Sequence, residues 1–236
     1  MIDTLALSFA LLVCSLGMAM NQTEGRIDVE VKRTDTLKYL IALPSDYEKD
    51  GDAVPLILFL HGAGERGDDL KKVKSHGPPK MVAQGHDFGA IVVSPQCPAG
   101  SWWTDEIDML VALLDKIERE YNVDKDRVYV TGLSMGGYGT FALAARQPDR
   151  FAAAVPICGG GMYFDALRLS RLPMWVFHGE NDRVVPVEES TRMVETINAR
   201  NGENARLTTY PGVGHNSWDK AYGDEAMWKW LFDQKR

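Results

Sequence analysis

Cysteine is scarce in this sequence. Cys14, Cys97 and Cys158 are the three among 236 residues, and none stands in a CxxC pair or at Cys/His ligand spacing. Neither a disulfide scaffold nor a structural zinc site is expected, and buried free thiols are. Positive charge is also short: 26 Lys and Arg face 33 Asp and Glu, a net charge of -7. That is the wrong sign for a surface that holds phosphate backbones, so no nucleic-acid partner is expected. Long apolar runs are missing as well. The run at residues 5–16 is shorter than the roughly 20 residues a bilayer crossing needs, so no stable membrane association is expected. Internal repeats and low-complexity linkers are absent, which leaves no boundary at which to place a second folded domain.

What is present is ordinary for a globular chain: 45% hydrophobic and 25% charged residues, enough for a packed core at this length. The run at residues 5–16 is followed by the small residues Gly17 and Ala19, which resembles the apolar region and cleavage site of a secretory signal peptide. Asp3 stands where a basic residue is expected, and the competing reading is a packed N-terminal helix in a cytoplasmic protein. The expected organisation is a signal peptide at residues 1–19 and a catalytic domain at residues 20–236.

Two periodicities alternate beyond the leader. Residues 27–32 (IDVEVK) and 37–43 (LKYLIAL) read as an opening hairpin. Residues 55–60, 90–93, 127–130, 153–157 and 174–177 are short apolar runs without alternation, as expected of strands buried on both faces of a parallel sheet. Amphipathic stretches at residues 106–120, 134–146, 188–199 and 218–233 lie between or after them, the first carrying Ile107, Leu110, Val111, Leu114 and Ile117 at helical spacing. The alternation predicts an α/β fold, a doubly wound, mostly parallel sheet flanked by helices. Only residues 158–173 separate two of the strands where a cap domain could be inserted, so a long lid is not expected.

The most specific motif is Gly132-Leu133-Ser134-Met135-Gly136, a G-x-S-x-G set between a strand and a helical pattern. A serine on so tight a turn needs small neighbours, and the helix that follows aims its N-terminal N–H groups at charge forming near the hydroxyl. Ser134 could otherwise be a plain N-cap. A hydroxyl is a weak nucleophile and needs a base with an orienting acid. His215, after the β-like residues 206–210, and Asp182, after the strand at 174–177, lie on loops at strand C-termini, where open α/β sheets gather their sites. The order Ser134, Asp182, His215 is that of the α/β-hydrolase triad. His61, His76, His86 and His178 are rival bases, and Glu180 and Glu188 rival acids. Two backbone N–H groups should receive the oxyanion: Met135, which follows the nucleophile, and Ala63 in the loop His61-Gly62-Ala63-Gly64, with Gly62 and Gly64 as its neighbours in contention. That loop is no phosphate loop, because no G-K-[ST] follows.

The stretches FLHGAGERGDDL, SPQCPAGSWWTDE, DKDRVYVTGLSMGGYGTFALAARQPDRFAAAVPICGG, PMWVFHGENDRVVPVEES and YPGVGHNSWDKAY resemble the serine esterases of the α/β-hydrolase superfamily. The similar branch groups dienelactone-hydrolase-like proteins, predicted peptidases and feruloyl-esterase-like carbohydrate esterases. The resemblance implies Ser134, Asp182 and His215 as the triad and no metal or organic cofactor. Dienelactone hydrolases proper use a cysteine nucleophile, so the serine here points away from dienelactone itself. The expected activity is hydrolysis of short-chain, aromatic-acyl or carbohydrate-linked esters through an acyl-enzyme, on a small-molecule or polysaccharide-linked substrate. A peptidase and a non-catalytic binding protein of the same fold are the alternatives. Trp102 and Trp103 lie on the loop side of the sheet. Adjacent side chains in an extended loop point opposite ways, and Trp103 is expected to face the cleft while Trp102 packs inward.

Overall fold

The apolar runs become a seven-stranded sheet in the order β1-β3-β2-β4-β5-β6-β7. The strands are β1 (Tyr39–Ala42), β2 (Val54–Leu60), β3 (Ile91–Pro95), β4 (Val123–Leu133), β5 (Ala153–Ile157), β6 (Met174–Gly179) and β7 (Ala205–Tyr210). β1 runs antiparallel to β3, and every other pairing is parallel. This computed structural model describes Arg26, residues 35–201 and residues 204–236, within which Asp35–Arg236 form one compact unit. The signal-peptide expectation at residues 1–19 and the first hairpin strand at 27–32 lie outside the described residues. The second hairpin strand contributes β1, whose partner is β3.

Alternate residues on each strand point to opposite faces of the sheet. Leu56, Leu58 and Leu60 of β2 pack on one side with Leu110, Leu114 and Ile117 of α2 (Ile107–Glu120), Phe141 of α3 (Met135–Arg146), Ala166 of α4 (Tyr163–Arg168) and Ile197 of α5 (Val187–Asn201). Ile57 and Phe59 pack on the other side, with Met81 of α1 (Gly77–Ala83), Tyr222 of α6 (Trp218–Tyr222) and Met227 and Leu231 of α7 (Glu225–Phe232). Helices on both faces explain why the strands read as unbroken apolar runs. Burial of each such Leu contributes roughly 2 kcal/mol.

Two expectations need correction in detail. The stretch at residues 218–233 is two helices, because Asp224 interrupts it with an extended backbone and caps α7, accepting the Ala226 N–H at 2.9 Å. The helix α2 begins one residue inside the stretch at 106–120, after Glu106, whose side chain makes no cap bond and accepts the Ser101 hydroxyl at 2.6 Å instead.

The order of the strands places the site. From β2 the chain moves outward to β3 and then returns to β4 on the opposite side of β2, so the direction of winding reverses between β2 and β4. A crevice opens at such a switch point, outside the strand C-termini. Leu60 pairs with Gly132 there, which brings the loop after β2 level with the turn after β4.

Candidate active site

Ser134 sits between β4 and α3 with φ 54° and ψ -117°, a backbone conformation that a residue with a Cβ rarely adopts. Its surroundings over-determine it. The Ser134 N–H donates to the Ile157 carbonyl of β5 at 2.9 Å, and the Ser134 carbonyl accepts from Tyr138 one turn into α3. A Cβ on Gly132 would stand 2.7 Å from the Leu60 carbonyl oxygen, and one on Gly137 would stand 2.6 Å from that of Ile157. The glycines of the motif are therefore required by close backbone approach on both sides of the turn.

The loops after β6 and β7 are tied to each other. Gly179 pairs with Tyr210, and the Asn181 N–H donates to the Val213 carbonyl at 2.9 Å. Asp182 and His215 follow these two ties and meet. His215 Nδ1 lies 2.7 Å from Asp182 Oδ2, and His215 Nε2 lies 2.8 Å from Ser134 Oγ. Because a carboxylate can only accept, Nδ1 carries the hydrogen and Nε2 is left with a lone pair for the serine hydroxyl. Asp182 Oδ1 accepts the N–H groups of Val184 at 2.8 Å and Val185 at 2.9 Å. Burial by itself would push the Asp182 carboxyl up; the bonds from His215, Val185 and Val184 outweigh it and hold the group below its ordinary value. The Trp218 ring packs perpendicular to the His215 ring, with their centroids 5.4 Å apart.

The rival groups are engaged elsewhere. Glu180 accepts the Thr209 hydroxyl at 2.9 Å on the surface. His61 is buried: Nδ1 donates to the Gly62 carbonyl at 2.6 Å and Nε2 accepts the Cys97 N–H at 2.9 Å. Burial pushes its ring down to about 4. His76 packs edge-on to Trp218 and His86 to Phe88. His178 is fully buried beneath Asp182, with Nε2 at 3.3 Å from Oδ2, a contact that no pattern in the sequence signals.

Met135 and Ala63 are the first residues of α3 and of a short 3-10 turn (Ala63–Glu65). Neither N–H has an acceptor within its own helix, which leaves both free to receive charge. In the Gly62–Ala63 peptide the carbonyl is taken by His61, and planarity turns the Ala63 N–H the opposite way.

The tryptophans reverse the expectation. Trp103 is 0% exposed and its indole N–H donates to the His61 carbonyl at 2.9 Å, while Trp102 is 49% exposed with the Arg66 guanidinium 5.0 Å above its ring. The cause is the Leu60, His61 and Gly139 surface, which leaves a slot for Trp103 so close that a Cβ on Gly139 would lie 2.5 Å from its Cβ. A cavity of about 170 Å³ beside Met135 is bounded by both tryptophans, Thr104 and Tyr138. It adjoins one of about 490 Å³ that shares Thr104 and Tyr138 and reaches Met162, Arg146 and Arg168.

Cys158 Sγ comes within 4.8 Å of ligand atoms of Asp182 and His215. Burial pushes its thiol up to about 12, so it keeps its proton, and the two other groups already spend their facing atoms on each other. Among the described residues no helix is long and apolar enough to cross a membrane.

Residues 100–226 match the family described as Dienelactone hydrolase family. The bifunctional acetylxylan esterase/xylanase of Neocallimastix patriciarum is 32% identical over 141 residues, which is 57% of this chain and 20% of that protein. A probable feruloyl esterase C of Aspergillus niger is 24% identical over 186 residues, 78% of this chain and 68% of the relative. The chain thus spans a fifth of the first relative and about two thirds of the second. Among solved structures, a thermostable esterase superposes with a TM-score of 0.75 at 36% identity, covering 85% of this chain and 60% of that one.

Proposed function

The chain belongs to the dienelactone hydrolase family, and from that premise we propose that it is a serine carboxylesterase whose triad is Ser134, His215 and Asp182. The observation that carries the reading is the unbroken chain from Ser134 Oγ to His215 Nε2 at 2.8 Å and from His215 Nδ1 to Asp182 Oδ2 at 2.7 Å. His215 takes the hydroxyl proton as Oγ bonds to the ester carbonyl carbon, and the carbonyl oxygen becomes an oxyanion between the N–H groups of Met135 and Ala63. Collapse of this intermediate breaks the bond to the alkoxy oxygen, which leaves as the alcohol with the proton from His215. The acyl group remains on Ser134. A water molecule then gives a proton to His215 and its oxygen to the acyl carbon, and the acid departs as Oγ regains the proton. Asp182 holds the ring tautomer and stabilises the imidazolium formed in each half.

The cavity beside Met135 would receive the acyl group, with the Trp102 ring at its rim, and the larger adjoining cavity leaves room for the rest of a carbohydrate-linked or aromatic ester. The names of the relatives, an acetylxylan esterase and feruloyl esterases, support short-chain and aromatic acyl groups borne on a polysaccharide. We read residues 1–19 as a signal peptide that exports the protein, which N-terminal sequencing of the mature form tests. The activity is tested with p-nitrophenyl acetate, methyl ferulate, acetylated xylo-oligosaccharide and a peptide amide. Ester turnover abolished in a folded Ser134→Ala variant is expected. Amide hydrolysis exceeding ester hydrolysis would overturn the reading.

A further inference from the structure

His178 is the penultimate residue of β6, four residues before Asp182, and its side chain has no exposure to solvent. Buried polar groups are satisfied or costly, and this ring is satisfied on both sides. Nδ1 lies 2.7 Å from the Ser190 hydroxyl of α5, whose one hydrogen is divided between this nitrogen and the Gly159 carbonyl at 2.8 Å. Nε2 lies 2.9 Å from the Val185 carbonyl and 3.3 Å from Asp182 Oδ2. Neither a carbonyl nor a carboxylate can donate, so Nε2 carries the ring's hydrogen, which is directed at the Val185 carbonyl and lies beside Asp182 Oδ2. Asp182 Oδ1 accepts the Val184 and Val185 amides and Oδ2 accepts the His215 ring, with the His178 Nε2 atom 3.3 Å from Oδ2.

We propose that His178 is a positioning residue for the acid of the triad: its Nε2–H holds the Val185 carbonyl and so fixes the loop whose amides orient the Asp182 carboxylate, and its positive end beside Oδ2 limits the negative charge presented to His215. The geometry supports this over simple filling of the core. Val185, whose carbonyl accepts the Nε2 hydrogen, also donates its N–H to Asp182 Oδ1, so the ring holds the carboxylate through one loop residue. With the Nε2 donor removed, Oδ2 keeps His215 as its strong partner and becomes the better acceptor. The imidazolium form of His215 is then favoured, and the base holds its proton to higher pH. The inference rests on the proposed role of Asp182.

The test separates the two ring nitrogens. His178→Asn places an amide where Nδ1 stands and loses the donor that holds Val185 beside Asp182, whereas His178→Gln reaches the Nε2 position and restores it. Ser190→Ala removes the Nδ1 contact and leaves Nε2 alone. For the Asn variant the expected results are a kcat about tenfold lower with KM within about twofold, and an acidic limb of kcat/KM about half a pH unit higher. The Gln and Ser190→Ala variants should retain the wild-type limb, with Ser190→Ala lowering only the melting temperature. Two other titratable groups respond to the Asp182 charge, Cys158 after β5 and Tyr138 of α3. Burial raises both, so neither changes charge across the limb.

An Asn variant with the wild-type limb overturns the proposal, as does a Gln variant that matches Asn or fails to fold. If Asn does not fold, a folded Gln variant with the wild-type limb supports the proposal and one with a displaced limb overturns it. Asp182→Asn, measured in parallel, distinguishes this failure from failure of the functional reading: if that variant keeps its rate, the acid itself is misassigned.

Discussion

Gly136 lies so close to Leu60 that a Cβ built on it would overlap the Leu60 carbonyl oxygen. The contact joins the turn that carries Ser134 to the end of β2, just before the loop that carries Ala63. Neither backbone can yield without moving a strand. Gly136→Ala is therefore expected to destabilise the fold by more than about 3 kcal/mol and to remove activity. Gly64→Ala is the control, because a Cβ there meets nothing within 4 Å. Thermal melting of the two variants checks the contrast; equal melting temperatures would show that the approach is not rigid.

Asp182→Asn should lower kcat by about 10⁴-fold with little change in KM, because an amide in that place stabilises the wrong tautomer of His215. The pH dependence has a definite sign. The folded-state value of Asp182 is depressed, so its contribution to stability is present above the ordinary carboxylate value of about 3.9 and is lost as pH falls through the lower folded value. Chemical denaturation between pH 6 and 2 should show a shallower acid loss for Asp182→Asn than for wild type. An unchanged slope would refute the linkage.

His61 titrates at about 4 in the folded protein, mainly because burial disfavours its charged form. An unfolded chain binds that proton near 6.5, so unfolding gains a proton between these values, and stability falls as pH drops from about 6.5 to about 4. The linked loss reaches about 3 kcal/mol at the lower end. His61→Gln should flatten this part of the profile while lowering stability at pH 7, where the bonds to Gly62 and Cys97 are lost. Denaturation midpoints at pH 7, 5.5 and 4.5 decide it; parallel profiles for the two proteins would count against a buried neutral ring.

Trp103→Ala should cost about 3 to 5 kcal/mol and lower the melting temperature, because a large buried side chain leaves a cavity and His61 loses a donor. Trp102→Ala should leave the melting temperature nearly unchanged and raise KM for methyl ferulate more than for p-nitrophenyl acetate, by about 3- to 10-fold. Equal KM changes on both esters would remove Trp102 from the acyl site.

The alternation of apolar runs and amphipathic stretches was enough to read the α/β class, since pleat and helix periods are local properties of a few consecutive residues. It also located the turn at Ser134, because a strained strand-to-helix turn demands small residues at fixed offsets, and glycines stand at those offsets. The positions of Asp182 and His215 could be named from loop placement and chain order. Their 2.7 Å contact across 33 residues depends on the register of β6 against β7, which no local pattern specifies. Only tertiary structure decided which indole is buried: adjacent tryptophans obey the same local rules, and the slot against Leu60, His61 and Gly139 accepts one of them. The same holds for His178. Its type and its place at a strand end are visible in the sequence, but its work depends on three oxygens from Ser190, Val185 and Asp182 converging on one ring. That convergence exists only after the β6 loop and α5 have packed together.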